Sequence, residues 1–181
     1  RSNQQKILSR YALYMEALLA YRSGHPVYPD ANATLRITYG RVEGMYPRDG
    51  MQYTWYSTLD GVMEKANDSI DEFRVPAKLK TLYQQKDFGS YAIPHHGHLT
   101  VPLAFLASNH TTGGNSGSPV LNASGELIGT NFDRIWEGTM SDLHFEPDLC
   151  RNITLDIRYT LFILDKFGGA SWLLNEMKFA R

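Results

Sequence analysis

The chain has 181 residues, of which 43% are hydrophobic and 20% are charged, and its formal net charge is -1. This size and composition are typical of a globular protein with one good core, or of one domain with part of another. The near-zero net charge argues against nucleic-acid binding or a broad membrane-surface role, and no apolar run is long enough to span a membrane.

The first segment of the chain predicts a helix. Apolar residues recur at three- and four-residue steps from residue 4 to about residue 21, and the pattern ends at Gly24. The first residues contain neither a Met nor a signal-peptide pattern, so we expect the chain to begin inside a longer polypeptide. Residues 1–24 are therefore predicted to be a helix from a larger helical region, or a freestanding helix packed on the domain that follows at residues 25–181.

Two strands are predicted after this helix. Residues 34–39 alternate apolar and polar side chains, as a half-buried strand does, and residues 51–56 show the same period. Residues 47–50, between them, have strong turn chemistry. We therefore expect the two segments to be antiparallel strands joined by a loop.

Two helices are predicted in the middle of the chain. Thr58 is placed to cap a short helix that runs through Met63 and Glu64. Pro76 is a favourable first residue for a second helix, which continues over residues 77–85. Both helices lie between predicted strands, and we expect them to be additions to a sheet.

The C-terminal half predicts strands followed by helices. The predicted strands are residues 101–107, 119–122, 126–132 and 152–156, with a turn at 123–125 and a polar stretch at 137–148. Helices are predicted at residues 157–167 and 171–177, separated by Gly168 and Gly169. Cys150 is the only cysteine in the sequence, so no internal disulfide forms, and we expect a small buried side chain there.

A glycine-rich loop at residues 110–119 carries the strongest sign of chemistry. Ser116 is flanked by glycine-containing turns and followed at once by an apolar strand, which suits a nucleophile whose Oγ must stand clear of a sheet. The amides of Gly114 and Ser116 could converge on one point as an oxyanion hole. The alternative is an ordinary turn, because Gly, Ser and Asn clusters are common in loops.

The histidines do not identify a catalytic base. They are His25, His95, His96, His98, His110 and His144. His110 is near Ser116 in sequence, but we expect a loop residue that helps to fix the turn. Three histidines at residues 95–98 could bind a transition metal. No Cys, Asp or Glu set with ligand spacing lies nearby, so we prefer an exposed polar loop and predict neither metal nor cofactor.

Several long motifs resemble one family of peptidases. Gly-Asn-Ser-Gly-Ser-Pro at residues 114–119 is similar to the Gly-Asp-Ser-Gly-Gly-Pro of chymotrypsin-like serine peptidases. Residues 109–120, 125–129, 131–142 and 147–153 together resemble the C-terminal part of bacterial dipeptidyl-peptidases of the type 7 and type 11 family. This resemblance extends from about Tyr28 to the end of the chain.

The resemblance implies a mainly β fold with helices. Residues 25–181 would form an incomplete, second β-barrel of the chymotrypsin-like fold, with flanking helices. Ser116 would be the nucleophile, while the catalytic His and Asp would lie on upstream sequence that this chain lacks, so the fragment alone would be inactive. The resemblance also implies a periplasmic or cell-surface homodimer that acts on peptides and needs no cofactor.

The resemblance further assigns substrate binding to Asp133 and Arg134. Asp133 would hold the free α-ammonium group of the substrate, and Arg134 would pair with a substrate Asp or Glu side chain. Hydrophobic-preferring relatives carry glycine at position 134, so the resemblance is greatest to the acidic-specific, type 11 members. Because adjacent strand residues face opposite sides, both can serve one substrate only if the strand bends or ends here.

Three alternatives to this assignment remain. The Asp133 and Arg134 pair could be a solvated ion pair at the end of a strand, which contributes little to stability. The chain could belong to a hydrophobic-specific member of the same family, which Arg134 argues against. It could also be a catalytically silent peptide-binding barrel, although such a module has no need of the intact loop around Ser116.

Overall fold

A computed structural model describes residues 2–24 and 33–180 of the chain. These residues belong to two compact units, Arg1–Thr34 and Leu35–Arg181. The expected domain boundary at residue 25, His25 and the start of the family resemblance at Tyr28 all lie outside the described residues.

The first unit contains the helix α1, Ser2–Tyr21. The predicted N-terminal helix is therefore confirmed, and it begins slightly earlier than the hydrophobic period suggested. Many of its large apolar side chains are mostly exposed, including Ile7, Leu8, Leu13 and Tyr14. Among the described residues, α1 thus keeps an apolar surface that is open to solvent.

The second unit consists of antiparallel strands with helices between and after them. Its strands are β1 (Met45–Arg48), β2 (Met51–Tyr53), β3 (Tyr56–Thr58), β4 (Ile93–His95), β5 (His98–Thr100), β6 (Pro102–Ala107), β7 (Pro119–Leu121), β8 (Leu127–Arg134) and β9 (Asn152–Asp156). Its α-helices are α2 (Leu59–Glu64), α3 (Ala77–Gln85), α4 (Ile157–Phe162) and α5 (Ser171–Leu174). Short 3₁₀ segments lie at Asp71–Phe73, Gly89–Tyr91 and Trp136–Asp142, and a π-helical turn at Ile163–Phe167 continues α4.

The main sheet of this unit has five strands in the order β3-β6-β9-β8-β7, and every neighbouring pair is antiparallel. The pairs β1–β2 and β4–β5 form separate hairpins. Residues of β9 alternate between buried and half-buried, as expected when one face of a strand packs on a core. The prediction of strands with flanking helices is therefore confirmed as a mixed fold with antiparallel sheets.

The hydrophobic core joins the helices to the sheet. Leu59 of α2, Val101 before β6 and Phe162 of α4 are all fully buried, and the two leucines of α3 pack in the same cluster. Both predicted central helices are confirmed, α3 with the expected limits. Cys150 is 4% exposed, so its predicted burial is also confirmed.

The predicted strand at residues 34–39 is wrong. These residues form no strand, and the partner of β2 is β1, with the turn at Asp49 and Gly50. The alternation itself is real, because Leu35, Ile37 and Tyr39 are at least 83% exposed while the residues between them are half-buried. A period of two predicts two faces, but a strand also needs a neighbouring backbone edge, which the described residues do not supply at this position.

The predicted C-terminal elements differ from the structure mainly at their ends. The strand predicted to end at Phe132 continues to Arg134 as the last residue of β8. The helix predicted over residues 157–167 is α-helical only to Phe162 and then widens into the π-helical turn. The last predicted helix stops at Leu174 instead of Met177. Exact ends of helices depend on tertiary contacts that the hydrophobic period does not report.

Candidate active site

The loop before β7 contains a tight turn stabilised by its own residues. The Asn115 amide donates to the Thr112 carbonyl at 3.1 Å, and the Thr112 amide donates to Asn115 Oδ1 at 3.0 Å. Gly114 and Gly117 have φ of +94° and +84°, a region that favours glycine because a Cβ clashes there. These two glycines therefore set the course of the backbone on either side of Ser116.

Ser116 is exposed and rests against the end of β8. Its Oγ donates a hydrogen bond to the Phe132 carbonyl at 3.2 Å. The next amide, that of Gly117, donates to the Asn131 carbonyl at 2.8 Å. The serine is thus fixed beside β8 while its hydroxyl remains accessible from solvent.

A pair of buried amide side chains connects the serine loop to the sheet. Asn131 Nδ2 donates to the Asn115 carbonyl at 3.1 Å, and Asn152 Nδ2 donates to Asn131 Oδ1 at 2.6 Å. Asn131 and Asn152 are 5% and 1% exposed. Buried hydrogen bonds of this kind are expensive to break, because each leaves a polar group without water or partner. The loop position is therefore coupled to β8 and β9.

The amides of Gly114 and Ser116 are free to donate within the part of the chain that the structure describes. Neither N–H group takes part in a hydrogen bond there. Two open backbone donors, one on the serine itself and one two residues before it, can stabilise an oxyanion formed at that serine. The assignment of Gly114 and Ser116 to an oxyanion hole stays a prediction, with which these two open donors are compatible.

Ser116, Asp133 and Arg134 line one cleft of about 120 Å³. The other lining residues are Thr111, Thr112, Gly113, Asn131 and Phe132. The register between β8 and β9 shifts between Asn131 and Asp133, which is a β-bulge. A bulge adds a residue to one strand and redirects the side chains that follow it. This bend allows adjacent strand residues to reach the same cleft.

Arg134 is paired with Asp142 at the side of this cleft. Its Nη1 and Nη2 donate to the two carboxylate oxygens at 2.8 and 2.6 Å, and Nη1 also donates to Ser141 Oγ. Hydrogen bonding to Asp142 raises the pKa of Arg134, and the same pair lowers the pKa of Asp142. The Nε–H and the second Nη2–H make no hydrogen bond among the described residues, and together they form the other face of the guanidinium fork.

The described histidines lie apart from Ser116 or in other interactions. His110 Nε2 lies 3.1 Å from the Ser141 carbonyl, and its ring packs on Phe145. Burial lowers the pKa of His110. No described histidine is hydrogen-bonded to Ser116 Oγ. The structure therefore places His110 between the serine loop and the Trp136–Asp142 segment, as a loop residue.

The histidines at residues 95–98 surround the turn of the β4–β5 hairpin, with His95 and His98 as its last strand pair. His95 Nδ1 lies 2.9 Å from the Tyr56 hydroxyl, and His98 Nε2 lies 2.9 Å from Asp60 Oδ2. Burial acts to raise the pKa of Asp60, but hydrogen bonds from His98, Tyr83 and Thr100 lower it overall. Within residues 2–24 and 33–180, no group of His, Cys, Asp and Glu could hold a metal ion.

Three residues of the site were not found from the sequence. Arg36 donates to Thr112 Oγ1 and to the Gly113 carbonyl, and Ser141 and Asp142 hold Arg134. Arg36 lies in a segment predicted as a strand, and the other two lie at the end of the family-like motif at residues 131–142, which assigned them no role. Their roles depend on contacts across the fold, so no local pattern indicated them.

Comparison with known proteins identifies similar chains. A sequence profile described as Peptidase S46 matches residues 1–179. An Asp/Glu-specific dipeptidyl-peptidase of Capnocytophaga gingivalis is 54% identical over 166 residues, which are 91% of this chain and 23% of that protein. A dipeptidyl-peptidase 7 of Phocaeicola vulgatus is 52% identical over 164 residues, which are 91% of this chain and 22% of that protein.

Solved structures show the same similarity in three dimensions. Porphyromonas endodontalis DPP11 in complex with the dipeptide Arg-Asp superposes with a TM-score of 0.81 and 49% identity, over 91% of this chain and 23% of that chain. The complex of the same protein with the dipeptide Arg-Glu gives a TM-score of 0.80 and 50% identity, over 90% of this chain and 23% of that chain. The chain thus spans less than a quarter of the length of these relatives. No described helix is long and apolar enough to cross a membrane.

Proposed function

The chain belongs to the peptidase S46 family, and we propose that it is part of a serine dipeptidyl-peptidase that releases N-terminal dipeptides with Asp or Glu as their second residue. The observation that carries this proposal is the single cleft lined by Ser116, Asp133 and Arg134. It brings a candidate nucleophile, an anion and a cation within reach of one short peptide.

In this proposal, Ser116 is the nucleophile. Its Oγ attacks the carbonyl carbon of the second substrate residue, and the amides of Gly114 and Ser116 donate to the oxyanion that forms. The serine proton passes to a histidine, which an aspartate orients. We place both of these residues on upstream sequence of the complete protein, because no described histidine is hydrogen-bonded to Ser116.

Two charges in the cleft select the substrate. Asp133 is exposed, and its Oδ1 accepts a hydrogen bond from the Arg134 amide, which leaves the other oxygen for the substrate α-ammonium group. Arg134 uses its end-on face for Asp142 and keeps the Nε and Nη2 face for a second carboxylate. An arginine can bind a planar carboxylate through two parallel hydrogen bonds on this face.

A hydrophobic-specific peptidase is the second candidate function. The similarity to dipeptidyl-peptidase 7, at 52% identity, is nearly as high as the 54% to an Asp/Glu-specific relative, so overall identity does not separate them. Arg134 favours acidic substrates, because an apolar side chain beside a half-buried guanidinium would leave its remaining donors unpaired.

The proposal also covers the remainder of the complete protein. In this proposal the five-stranded sheet belongs to the second β-barrel of a chymotrypsin-like fold. That barrel is incomplete in this chain, and the rest of the polypeptide completes it. The complete protein is proposed to be a periplasmic or cell-surface homodimer that acts on peptides without a cofactor. Support for these points comes from the family resemblance of the motifs around Ser116 and Arg134.

Labelling of the complete protein with a fluorophosphonate probe tests the assignment of Ser116. The wild type and the control variant Ser118→Ala are expected to label, because the Ser118 side chain has no proposed role, while Ser116→Ala is expected not to label. Labelling that persists in Ser116→Ala would assign the nucleophile elsewhere. A wild type that does not label would favour the silent peptide-binding barrel.

A further inference from the structure

Arg36 is bound to the turn that precedes Ser116. Its Nη1 donates to Thr112 Oγ1 at 2.8 Å, and its Nη2 donates to the Gly113 carbonyl at 3.0 Å. Arg36 is half-buried, whereas Leu35 and Ile37 on either side are 91% and 83% exposed. The guanidinium therefore faces the serine loop, whereas the side chains directly before and after it point to solvent.

The bond to the Gly113 carbonyl fixes the direction of a neighbouring donor. The Gly113 carbonyl and the Gly114 N–H belong to the same peptide group, which is planar and trans. In a trans peptide the C=O and N–H bonds point in opposite directions. A hydrogen bond that holds the Gly113 oxygen on one side of the turn therefore holds the Gly114 N–H on the other side.

This peptide group has an alternative orientation. The turn from Thr112 to Asn115 has φ of +94° at Gly114, which is typical of a type II turn. A type I turn with the same ends differs mainly in that the central peptide is flipped. Glycine at both central positions makes either form accessible, so the turn sequence alone does not select the direction of the Gly114 N–H.

We infer that Arg36 is a positioning residue for the oxyanion hole: it holds the peptide between Gly113 and Gly114 in the orientation that presents the Gly114 N–H beside Ser116. This inference rests on the proposed function, because it uses the oxyanion hole. Thr112 serves as the second anchor of the guanidinium, and its own amide is bound to Asn115 Oδ1. The positive charge on the far side of the peptide also polarises it and strengthens its N–H as a donor.

Kinetics of the complete protein test the inference with the variants Arg36→Ala, Arg36→Lys and Arg41→Ala. We expect Arg36→Ala to lower kcat by about tenfold to a hundredfold and to change KM little, since a donor that acts in the transition state is misplaced. Arg36→Lys keeps a cation that can reach the Gly113 carbonyl and should recover part of kcat. Arg41→Ala is the control, because the hydrogen bonds of Arg41 involve its backbone.

A pair of inhibitors separates oxyanion binding from general damage to the cleft. A dipeptide aldehyde ending in the aspartic acid aldehyde forms a tetrahedral adduct with the serine, whereas the corresponding dipeptide alcohol does not. Arg36→Ala should weaken the binding of the aldehyde by the same factor by which it lowers kcat/KM, and it should leave the binding of the alcohol unchanged. A wild-type kcat in Arg36→Ala, or an equal loss of binding affinity for the aldehyde and the alcohol, would overturn the inference.

A crystal structure of the Arg36→Ala variant gives a result that does not depend on activity. We expect the Gly113 carbonyl to turn over, or to occupy both orientations, and an unchanged peptide would overturn the inference. If the wild type itself has no activity, the proposed function fails while this structural result still decides the role of Arg36. If Arg36→Ala does not fold, Arg36→Met, which has a side chain of similar length but cannot donate to the Gly113 carbonyl, is used for both measurements, and a wild-type kcat together with an unchanged peptide in that variant contradicts the inference.

Discussion

At the scale of single residues, Arg134 can satisfy two carboxylates at once. Asp142 occupies the end-on face formed by Nη1 and Nη2, and the Nε and Nη2 face remains available. The internal ion pair and the recognition of an acidic substrate are therefore compatible. Asp142 also restricts the guanidinium to one orientation, which reduces the entropy that Arg134 loses when a substrate binds.

The ion pair with Arg134 predicts a pH-dependent stability. The pKa of Asp142 is lowered below its usual 3.8, so its contribution is present above that pH and is lost as the pH falls through the lower, folded value. Asp142→Asn should lower the stability of the complete protein at pH 7 by about 1 kcal/mol or less, because the pair is partly exposed. The difference from the wild type should disappear at lower pH.

Thermal unfolding of both proteins between pH 3 and 7 measures this difference. Asp49→Asn is a control, since Asp49 is exposed in the β1–β2 turn and forms no ion pair among the described residues. A gap between wild type and Asp142→Asn that grows at low pH would contradict the prediction.

The residues to which the family motifs assign a role were predictable, and the side-chain contacts that hold them in place were not. Ser116 and Gly114 lie in one short string, and Asp133 with Arg134 lies in another, so their placement could be anticipated. Arg36 contacts a residue 76 positions further along the chain. Asp142 lies in the same motif as Arg134, but nothing in that motif indicates that the two side chains pair. Such contacts follow from the tertiary fold, which the local pattern does not contain.

At the scale of elements, the end of β8 shapes the cleft. A strand of regular pleat would place Asp133 and Arg134 on opposite faces. The bulge between β8 and β9 removes this conflict. From the sequence we could infer that the strand must bend or end at Asp133 and Arg134. We could not infer the bulge itself, because a bulge depends on the pairing register with β9. The strand prediction at residues 34–39 was wrong for a related reason, because strand formation also depends on pairing with a neighbouring backbone.

The two central glycines of the turn before Ser116 should differ in how well they tolerate replacement by alanine. Gly114 has φ of +94°, so Gly114→Ala should lose about 1 kcal/mol of stability and lower kcat as the amide moves. Gly113 does not have a positive φ, and a Cβ there meets no atom within 4 Å. Gly113→Ala should therefore keep near-wild-type activity. Steady-state kinetics of both variants decide this, and equal losses would contradict the turn assignment.

Two other glycines predict effects of opposite sign on stability. A Cβ at Gly129 in β8 would lie 2.4 Å from the Leu155 carbonyl oxygen in β9, so Gly129→Ala should destabilise the protein by roughly 1–3 kcal/mol. Gly61 lies within α2 and has open space around it. Gly61→Ala should stabilise the protein by about 0.5–1 kcal/mol. Thermal unfolding measures both shifts, and a lower Tm for Gly61→Ala would count against the α2 assignment.

At the scale of the whole molecule, this chain is expected to be inactive by itself. It spans less than a quarter of its relatives, and no described histidine is hydrogen-bonded to Ser116. A serine without a base is a weak nucleophile at neutral pH. The purified chain should therefore hydrolyse dipeptidyl reporters negligibly beside the complete protein. Turnover that Ser116→Ala abolishes in the isolated chain would show that the base lies within these residues.

Cleavage of dipeptidyl reporters ending in Asp, Glu or Leu by the complete protein tests the central claim most directly. The wild type should prefer the acidic reporters, Ser116→Ala should be inactive, and Arg134→Gly should lose the acidic preference while it still cleaves the Leu reporter. A wild type that prefers Leu, or an Arg134→Gly variant that keeps the acidic preference, would contradict the assignment of Arg134 as the residue that selects the substrate.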